Sequence, residues 1–351
     1  MRRRRLGRSS LEVPVVVFGA WAAGGWAWGG VDEDEVVRAM QASIDAGADA
    51  IDTAPVYGFG LSERLVGRAI RGRRDQVVVM TKLGLRWDDE HGALWFETTD
   101  QDGVARAVRR DARPESALHE VRRSLARLGV ERIDLLQVHW PDAATPIEDT
   151  IGALLELRRS GEVREIGLSN HGPDLMRRAQ ATLGDAPLAS NQPKYSLLAR
   201  EIEAELLPWC RDEDVGVLAY SPLEQGLLSG CAPASRKFDK SDGRHRRPTF
   251  EDANRAKVNS VVESTLRPIA EARGATCAQV ALAWVVAQPG VTAAIAGARS
   301  VAQARENAQA GDLELTPTES ARLRAAFGAL ELGAAARGGW WSRLRRWLRS
   351  V

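Results

Sequence analysis

The sequence has only three cysteines, Cys210, Cys231 and Cys277, scattered over 351 residues. They are too few for a disulfide framework, and no CxxC spacing suggests zinc. A reducing cytoplasm is the expected setting. No run of roughly 20 apolar residues occurs, so no membrane-spanning helix is expected. An excess of one charge is missing too. The 48 basic and 47 acidic residues leave a formal net charge of +1, which argues against bulk electrostatic binding of nucleic acid. No G-x-G-x-x-G follows a strand, so the usual dinucleotide turn is not indicated. The N-terminus imitates a signal peptide, with Arg2–Arg5 ahead of the apolar stretch Val15–Trp28. Glu12 and Pro14 interrupt that approach, and Gly24, Gly25, Gly29 and Gly30 make a poor helix. A first strand and its loop are expected there instead.

What remains is the profile of a globular chain, 44% hydrophobic and 27% charged. Its dominant pattern is a short, β-branched apolar run followed by an amphipathic helix. Strands are expected at Val15–Phe18, Ala48–Asp52, Gln76–Thr81, Ile133–Val138, Val163–Leu168, Leu188–Asn191, Val215–Ala219 and Val291–Ala296. Helices are expected at Val31–Ala46 opened by Asp32, Ser62–Ile70 capped by Ser62, Pro114–Leu128, Ile147–Ser160, Asp174–Thr182, Glu201–Glu213, Lys257–Arg273 and Cys277–Gln288. Eight alternating units predict an α/β fold whose parallel sheet closes into a (β/α)8 TIM barrel as a single domain, residues 1–333. Two connections, Leu83–Arg113 and Pro222–Ala256, exceed plain βα loops and are expected to be functional.

Active sites of such barrels lie at the C-terminal strand ends. The second strand ends at Asp52, with Tyr57 just beyond it; the third ends at Thr81-Lys82 and the fourth at His139. An acid, a phenol, an ammonium and an imidazole therefore point at one mouth. Singly, each has an ordinary explanation: a capping Asp, a packed Tyr, a solvated Lys, a buried His. Together they have a chemical use. A phenol titrates near 10, and a neighbouring ammonium is expected to lower that value. The aspartate holds the ammonium in place, and the imidazole orients a carbonyl oxygen. This is the arrangement for general acid catalysis at a developing oxyanion. No ligand cluster for a metal occurs at these strand ends.

Three segments are specific. Asp52-Thr53-Ala54-Pro55-Val56-Tyr57-Gly58 followed by Ser62-Glu63 resembles the second-strand motif of aldo-keto reductases. Leu135–Asp142 resembles their fourth-strand motif, and Gly161–Asn170 their fifth. The resemblance runs from Arg5 to Asn307 and implies an N-terminal β-hairpin, a catalytic tetrad of Asp52, Tyr57, Lys82 and His139, and reduction of an aldehyde or ketone with hydride from NADPH (NADP+ on release). It also implies an extended cofactor across the mouth. Trp21 and Asp52 would border it, and Ser169, Asn170 and Gln192 would hold the carboxamide. Tyr220 would stack on the ring, and Ser221, Pro222, Leu223, Gly226 and Leu228 would cover the pyrophosphate. Gly297, Arg299, Gln303, Glu306 and Asn307 would take the adenosine end, with Arg299 suited to a 2′-phosphate at a helix N-terminus. Two positions depart from the pattern. Ala296 stands where proline is usual, and Cys231 where lysine is common, with Arg236 or Lys237 as substitutes. The alternative is a cofactor-binding regulatory subunit resembling those of potassium channels, with little turnover.

Tryptophans crowd the expected mouth. Trp26, Trp87 and Trp140, with Tyr57 and His139, are expected to line an apolar, aromatic substrate pocket, while other loop tryptophans pack the loops together. The C-terminal segment 334–351 is a basic, Trp-rich tail. From Arg337 it carries five arginines and no acid, with Trp340, Leu344, Trp347, Leu348 and Val351 at helical spacing. Such a segment can lie on an anionic membrane or bind a partner. Packing across the barrel, or fraying as a tail, is the preferred expectation. Nothing in the sequence specifies an oligomeric state.

Overall fold

The computed structural model describes residues 1–333 apart from 231, 233–236 and 240. The tail, Cys231 and Arg236 therefore lie outside the described residues. Eight parallel strands close into a barrel. We number them β1 (Val16–Gly19), β2 (Ala50–Asp52), β3 (Val78–Leu83), β4 (Ile133–Val138), β5 (Val163–Ser169), β6 (Leu188–Gln192), β7 (Gly216–Tyr220) and β8 (Val291–Gly297), with β8 pairing back onto β1. Their near-continuous apolar character suits strands covered on both faces. Inward-facing Val17, Ala50, Met80, Leu135, Leu218 and Ala293 fill the barrel together with Leu6, Leu11 and Val13. The last three come from an antiparallel hairpin, Arg3–Arg5 with Glu12–Pro14, which plugs the N-terminal end. The other end is left for polar groups.

The surrounding helices are α1 (Glu33–Asp45), α2 (Leu61–Ala69), α3 (Pro114–Leu128), α4 (Ile147–Ser160), α5 (Pro173–Leu183), α6 (Leu206–Asp212), α7 (Asp252–Val261), α8 (Arg267–Ala272), α9 (Cys277–Val286), α10 (Val301–Gln309) and α11 (Pro317–Gly328). Asp32 caps α1 as expected, accepting from the Glu35 N–H at 2.9 Å. Ser62 does not cap α2. Gly60 takes that position with a left-handed φ of 94°. The Ser62 hydroxyl instead bonds Thr53 Oγ1 at 2.8 Å and the Ala20 carbonyl at 2.7 Å, tying the β1 and β2 loops together. The expected helix Glu201–Glu213 is divided into a 3-10 turn, Glu201–Glu203, and α6. Pro208 has no N–H to extend the ladder upstream, so it sits in the first turn of α6. The expected helix Lys257–Arg273 starts earlier, at Asp252, and passes through a π turn, Val262–Leu266, ahead of Pro268. A widened turn accommodates the missing donor of that proline.

The connection after β3 is not a plain loop. It forms a three-stranded antiparallel sheet of Leu85–Arg86, Ala93–Thr99 and Ala105–Arg110, the last in the centre. The hairpin turns at Asp100, whose Oδ1 accepts the N–H groups of Asp102 at 3.0 Å and Val104 at 2.9 Å, while Gly103 supplies a φ of 81°. The sheet is tied to α3 just beyond β3. The Gly84 N–H donates to Glu120 Oε1 at 2.7 Å, and Glu120 is buried. Burial raises the Glu120 carboxyl to about 8, against the opposing pull of the Gly84 bond and Arg86. Ionising it therefore costs stability progressively as pH climbs from its ordinary value of 4.5 toward 8. Glu120→Gln keeps an acceptor for Gly84. It should raise Tm above pH 8 and change it little at pH 4 in thermal melts across pH.

The connection after β7 runs through 3-10 turns at Glu224–Ser229, Gly243–Arg246 and Pro248–Phe250. It is strapped to the loop after β1. The Gly243 N–H donates to the Ala27 carbonyl at 2.9 Å, Trp28 bridges Asp242, and the Arg244 guanidinium lies 5.1 Å over the Trp28 ring.

Candidate active site

Asp52 ends β2, and Lys82 lies within β3, one residue before its end. Neighbouring parallel strands bring the two side chains together inside the mouth. Lys82 Nζ donates to Asp52 Oδ2 at 2.7 Å and to the Thr53 carbonyl at 3.0 Å, and the pair is almost fully buried, with side-chain exposures of 0% and 4%. The ammonium stands 5.1 Å from the Tyr57 ring centre. Tyr57 is presented by a tight loop that packs against the loop after β1. Gly58, at φ 63°, faces the Gly24 carbonyl so closely that any Cβ there would collide with it. His139 follows β4, and its ring stands edge-on to Tyr57, with centroids 5.8 Å apart. The four residues singled out from the sequence thus converge at one place.

The charge states sharpen what this arrangement can do. Burial pushes His139 well below its ordinary 6.5, and Lys82 pushes it the same way, so the imidazole is neutral at physiological pH. Lys82 is lowered from 10.5 by burial, an effect that Asp52 and then Glu63 oppose. The expectation that Lys82 draws the Tyr57 phenol down is not met. Burial raises Tyr57 well above 10, and Asp52 adds to the rise. The physical reason is desolvation, which disfavours the phenolate more than the nearby ammonium favours it, with the Asp52 carboxylate adding a like charge. Tyr57 consequently keeps its proton through the neutral range.

The polar groups assigned to a cofactor gather beside this cluster. Gln192, at the end of β6, donates through Nε2 to Asp52 Oδ1 at 2.8 Å. The Ser169 hydroxyl, at the end of β5, donates to the Gln192 carbonyl at 2.8 Å. Asn170 Nδ2 donates to the His139 carbonyl at 3.1 Å and accepts the Tyr220 hydroxyl on Oδ1 at 3.0 Å. Asn170, Ser221, Glu224 and Gln225 all hold positive φ, between 45° and 63°, without being glycine. Such conformations persist where surrounding structure enforces them, and they cluster at ligand clamps. Gly226 has φ 93°, but an added Cβ would meet nothing nearer than 4.0 Å. Its conformation, not crowding, requires glycine. Leu228 is buried in the core, and Leu223 packs against it from the rim; Ser221 and Pro222 open the strapped connection.

At the adenosine end, Ser300 caps α10 by accepting the Gln303 N–H, and the Asn307 side chain donates to the Gly297 carbonyl at 3.1 Å. Arg299 is exposed and donates to the Trp28 and Gly30 carbonyls at 3.0 and 2.8 Å. Glu306 accepts from the Thr276 hydroxyl at 2.6 Å. The set suits an extended nicotinamide nucleotide: amides at two strand ends, an aromatic ring at a third, and a guanidinium at a helix N-terminus.

The aromatic residues expected at the mouth pack against one another unevenly. Trp26 stacks on Phe96 of the added sheet, with centroids 5.7 Å apart and planes at 4°, and its indole N–H bonds Thr98. Trp140 packs edge-on to Trp95 at 4.9 Å. Trp21 lies 6.2 Å from Tyr57. Trp87 packs behind Phe59 and beneath the Arg127 guanidinium, beside Pro55 and Glu120. Trp95 and Phe96 lie on the strand Ala93–Thr99 of the added sheet, and the Asp100–Gly103 turn is the local sequence signal of that hairpin. Glu63 and Thr81 were passed over as site residues, although Ser62-Glu63 stood in the second-strand motif.

Comparison with known proteins agrees with this geometry. The aldo/keto reductase family model matches residues 15–327, and the chain belongs to that family. It is 36% identical over 337 residues to an NADH-specific methylglyoxal reductase of Escherichia coli, covering 94% of this chain and all of that one. It is 32% identical to a probable voltage-gated potassium channel subunit beta of Arabidopsis thaliana, over 89% of this chain and 92% of that protein. Among solved structures, the glycerol dehydrogenase AKR11B4 from Gluconobacter oxydans superposes with a TM-score of 0.83 at 36% identity, covering 96% of this chain and 98% of that one. The protein is therefore an oxidoreductase of the aldo-keto reductase family. Among the described residues no helix is long and apolar enough to cross a membrane, and no group of three or more potential ligands is placed to hold a metal.

Proposed function

We propose that this chain reduces an aldehyde or ketone to the alcohol, with NADPH as hydride donor and Tyr57 as proton donor. The observation that carries the reading is the Asp52–Lys82 pair at 2.7 Å beneath a protonated Tyr57 and a neutral His139. A neutral imidazole is a far weaker acid than an imidazolium but can still donate a hydrogen bond, so His139 orients the carbonyl oxygen and Tyr57 supplies the proton. An alkoxide is a far stronger base than a phenolate, so the proton moves to the substrate oxygen only as negative charge develops there. Lys82 stabilises the phenolate left behind, and Asp52 fixes Lys82. When bound, the nicotinamide supplies the hydride; Ser169, Asn170 and Gln192 would hold its carboxamide, Tyr220 its ring and Arg299 its 2′-phosphate.

The wall of Trp26, Trp95, Phe96 and Trp140 favours an apolar or aromatic carbonyl over a phosphosugar. The test is oxidation of NADPH and of NADH against a panel of aromatic aldehydes, ketones and sugar phosphates. Preference for sugar phosphates would sink the substrate reading, and absence of turnover would sink the reductase reading. Arg299→Ala should raise KM for NADPH at least tenfold, the scale of one lost charge-assisted contact, and leave KM for NADH unchanged. An equal effect on both would remove the 2′-phosphate role. The likeness to a channel subunit beta supports a second reading, a cofactor-binding regulatory module, which predicts NADPH binding with little turnover on the whole panel.

A further inference from the structure

The Ser62-Glu63 step begins α2 and lies behind the site, on the outer face of β3. Glu63 is fully buried, yet both its carboxylate oxygens are engaged. Oε1 accepts the Thr81 hydroxyl at 2.8 Å, and Oε2 accepts Arg127 Nε at 2.5 Å from α3. Thr81 immediately precedes Lys82, and successive side chains of a strand point to opposite faces. Lys82 therefore faces Asp52 inside the barrel, while its neighbour holds Glu63 outside. Ser62 adds the bonds to Thr53 and Ala20 described above, and Lys82 itself donates to the Thr53 carbonyl. One helix turn thus touches the ends of β1, β2 and β3.

We propose that Glu63 is a positioning residue for the proton-donating assembly, placing a second fixed negative charge across β3 from Lys82 so that the buried ammonium stays charged. The inference rests on the reductase reading above. Its physical basis is the burial of the ammonium at the barrel mouth. Burial of an ammonium favours its neutral form, and interactions in a water-excluded interior are screened weakly. The direction of the Lys82 shift agrees: burial lowers it, and both Asp52 and Glu63 oppose the fall. The other charged and titratable groups that face Lys82 are Tyr57 and His139. Those that face Glu63 are Arg127 and Glu120, both of α3.

The test uses the full chain and two readouts. The first is independent of turnover. The sequence holds only five lysines, so biosynthetic 13Cε-lysine labelling leaves a spectrum in which Lys82 is assignable and can be titrated without cofactor or substrate. In Glu63→Gln, which keeps an acceptor for Thr81 but loses the charge, Lys82 should titrate about one pH unit lower than in wild type. The second readout is the pH profile of carbonyl reduction with NADPH. Its alkaline limb should move to lower pH by the same amount, with kcat falling and KM unchanged. Thr81→Val cuts the hydrogen bond without removing either charge and should leave the Lys82 titration where it is. Glu63→Asp draws the charge back by one methylene and should give an intermediate shift, which decides the matter if Glu63→Gln does not fold. An unmoved Lys82 titration in Glu63→Gln, or in Glu63→Asp if that variant alone folds, overturns the proposal. A shifted titration in a protein that reduces no carbonyl would retain the electrostatic role and overturn the reductase reading instead.

Discussion

Tyr57→Phe should lower kcat for carbonyl reduction by about 10²–10⁴-fold, the range for loss of a positioned general acid, while NADPH binding and Tm stay at wild-type values. The substitution removes one oxygen and keeps the ring. The ring contacts are those with Trp21 at 6.2 Å, His139 at 5.8 Å and the Lys82 ammonium at 5.1 Å, and all are preserved. The hydroxyl makes no hydrogen bond to a described residue and is not among the buried polar atoms left without a partner. Its removal therefore orphans nothing, and its proton is uncommitted in the resting protein. His139 offers no substitute, because burial keeps its imidazole neutral. NADPH affinity is read by quenching of protein fluorescence, and kcat by NADPH oxidation at saturating aldehyde. A near-wild-type kcat would remove Tyr57 as the donor. A large fall in NADPH affinity would place Tyr57 in the cofactor site instead.

The barrel was legible because its signal is repetitive. Each strand such as Leu135–Val138 is a compact apolar run, and each is followed by an amphipathic helix, so single errors of boundary do not change the count. The converging tetrad was legible for a related reason: once a parallel barrel is fixed, strand ends identify themselves. What escaped was of two kinds. The sheet Leu85–Arg110 is hard to read because Ala93–Thr99 lacks the alternation of a half-buried strand, and only the Asp100–Gly103 turn gives a local hairpin signal. The breaks in the helices at Pro208 and Pro268 were visible as prolines, but whether a proline kinks, starts or divides a helix depends on what packs against it. The Tyr57 shift was misjudged on physical grounds. A list of residues names an ammonium near a phenol. Only the fold says that the phenol is desolvated and that the Asp52 carboxylate stands beside the ammonium. Glu63 was missed because a glutamate in the first turn of a helix has an ordinary explanation, favourable interaction with the helix dipole.

Lys82→Met should cost both chemistry and stability, and the two losses can be separated. Among the described residues the ammonium is the only cation bonded to Asp52, whose remaining side-chain partner there is the Gln192 amide. Removing one member of a buried pair leaves the other charge uncompensated and typically destabilises by about 3–5 kcal/mol, read here from denaturant melts near neutral pH. The sign of the pH dependence follows. A buried carboxylate without its cation has a raised pKa, so protonation relieves the cost. The variant should lie closer to wild type at pH 4.5 than at pH 8. Lys82→Met with Asp52→Asn removes both charges and should recover much of the lost stability, because the asparagine still accepts from Gln192. It should recover none of the activity, since neither variant retains a charge to stabilise the Tyr57 phenolate. If the double variant regained turnover along with Tm, Lys82 would be a structural residue that happens to lie beside Tyr57. If Lys82→Met melted like wild type at every pH, the buried Asp52–Lys82 pair would not hold the barrel mouth together.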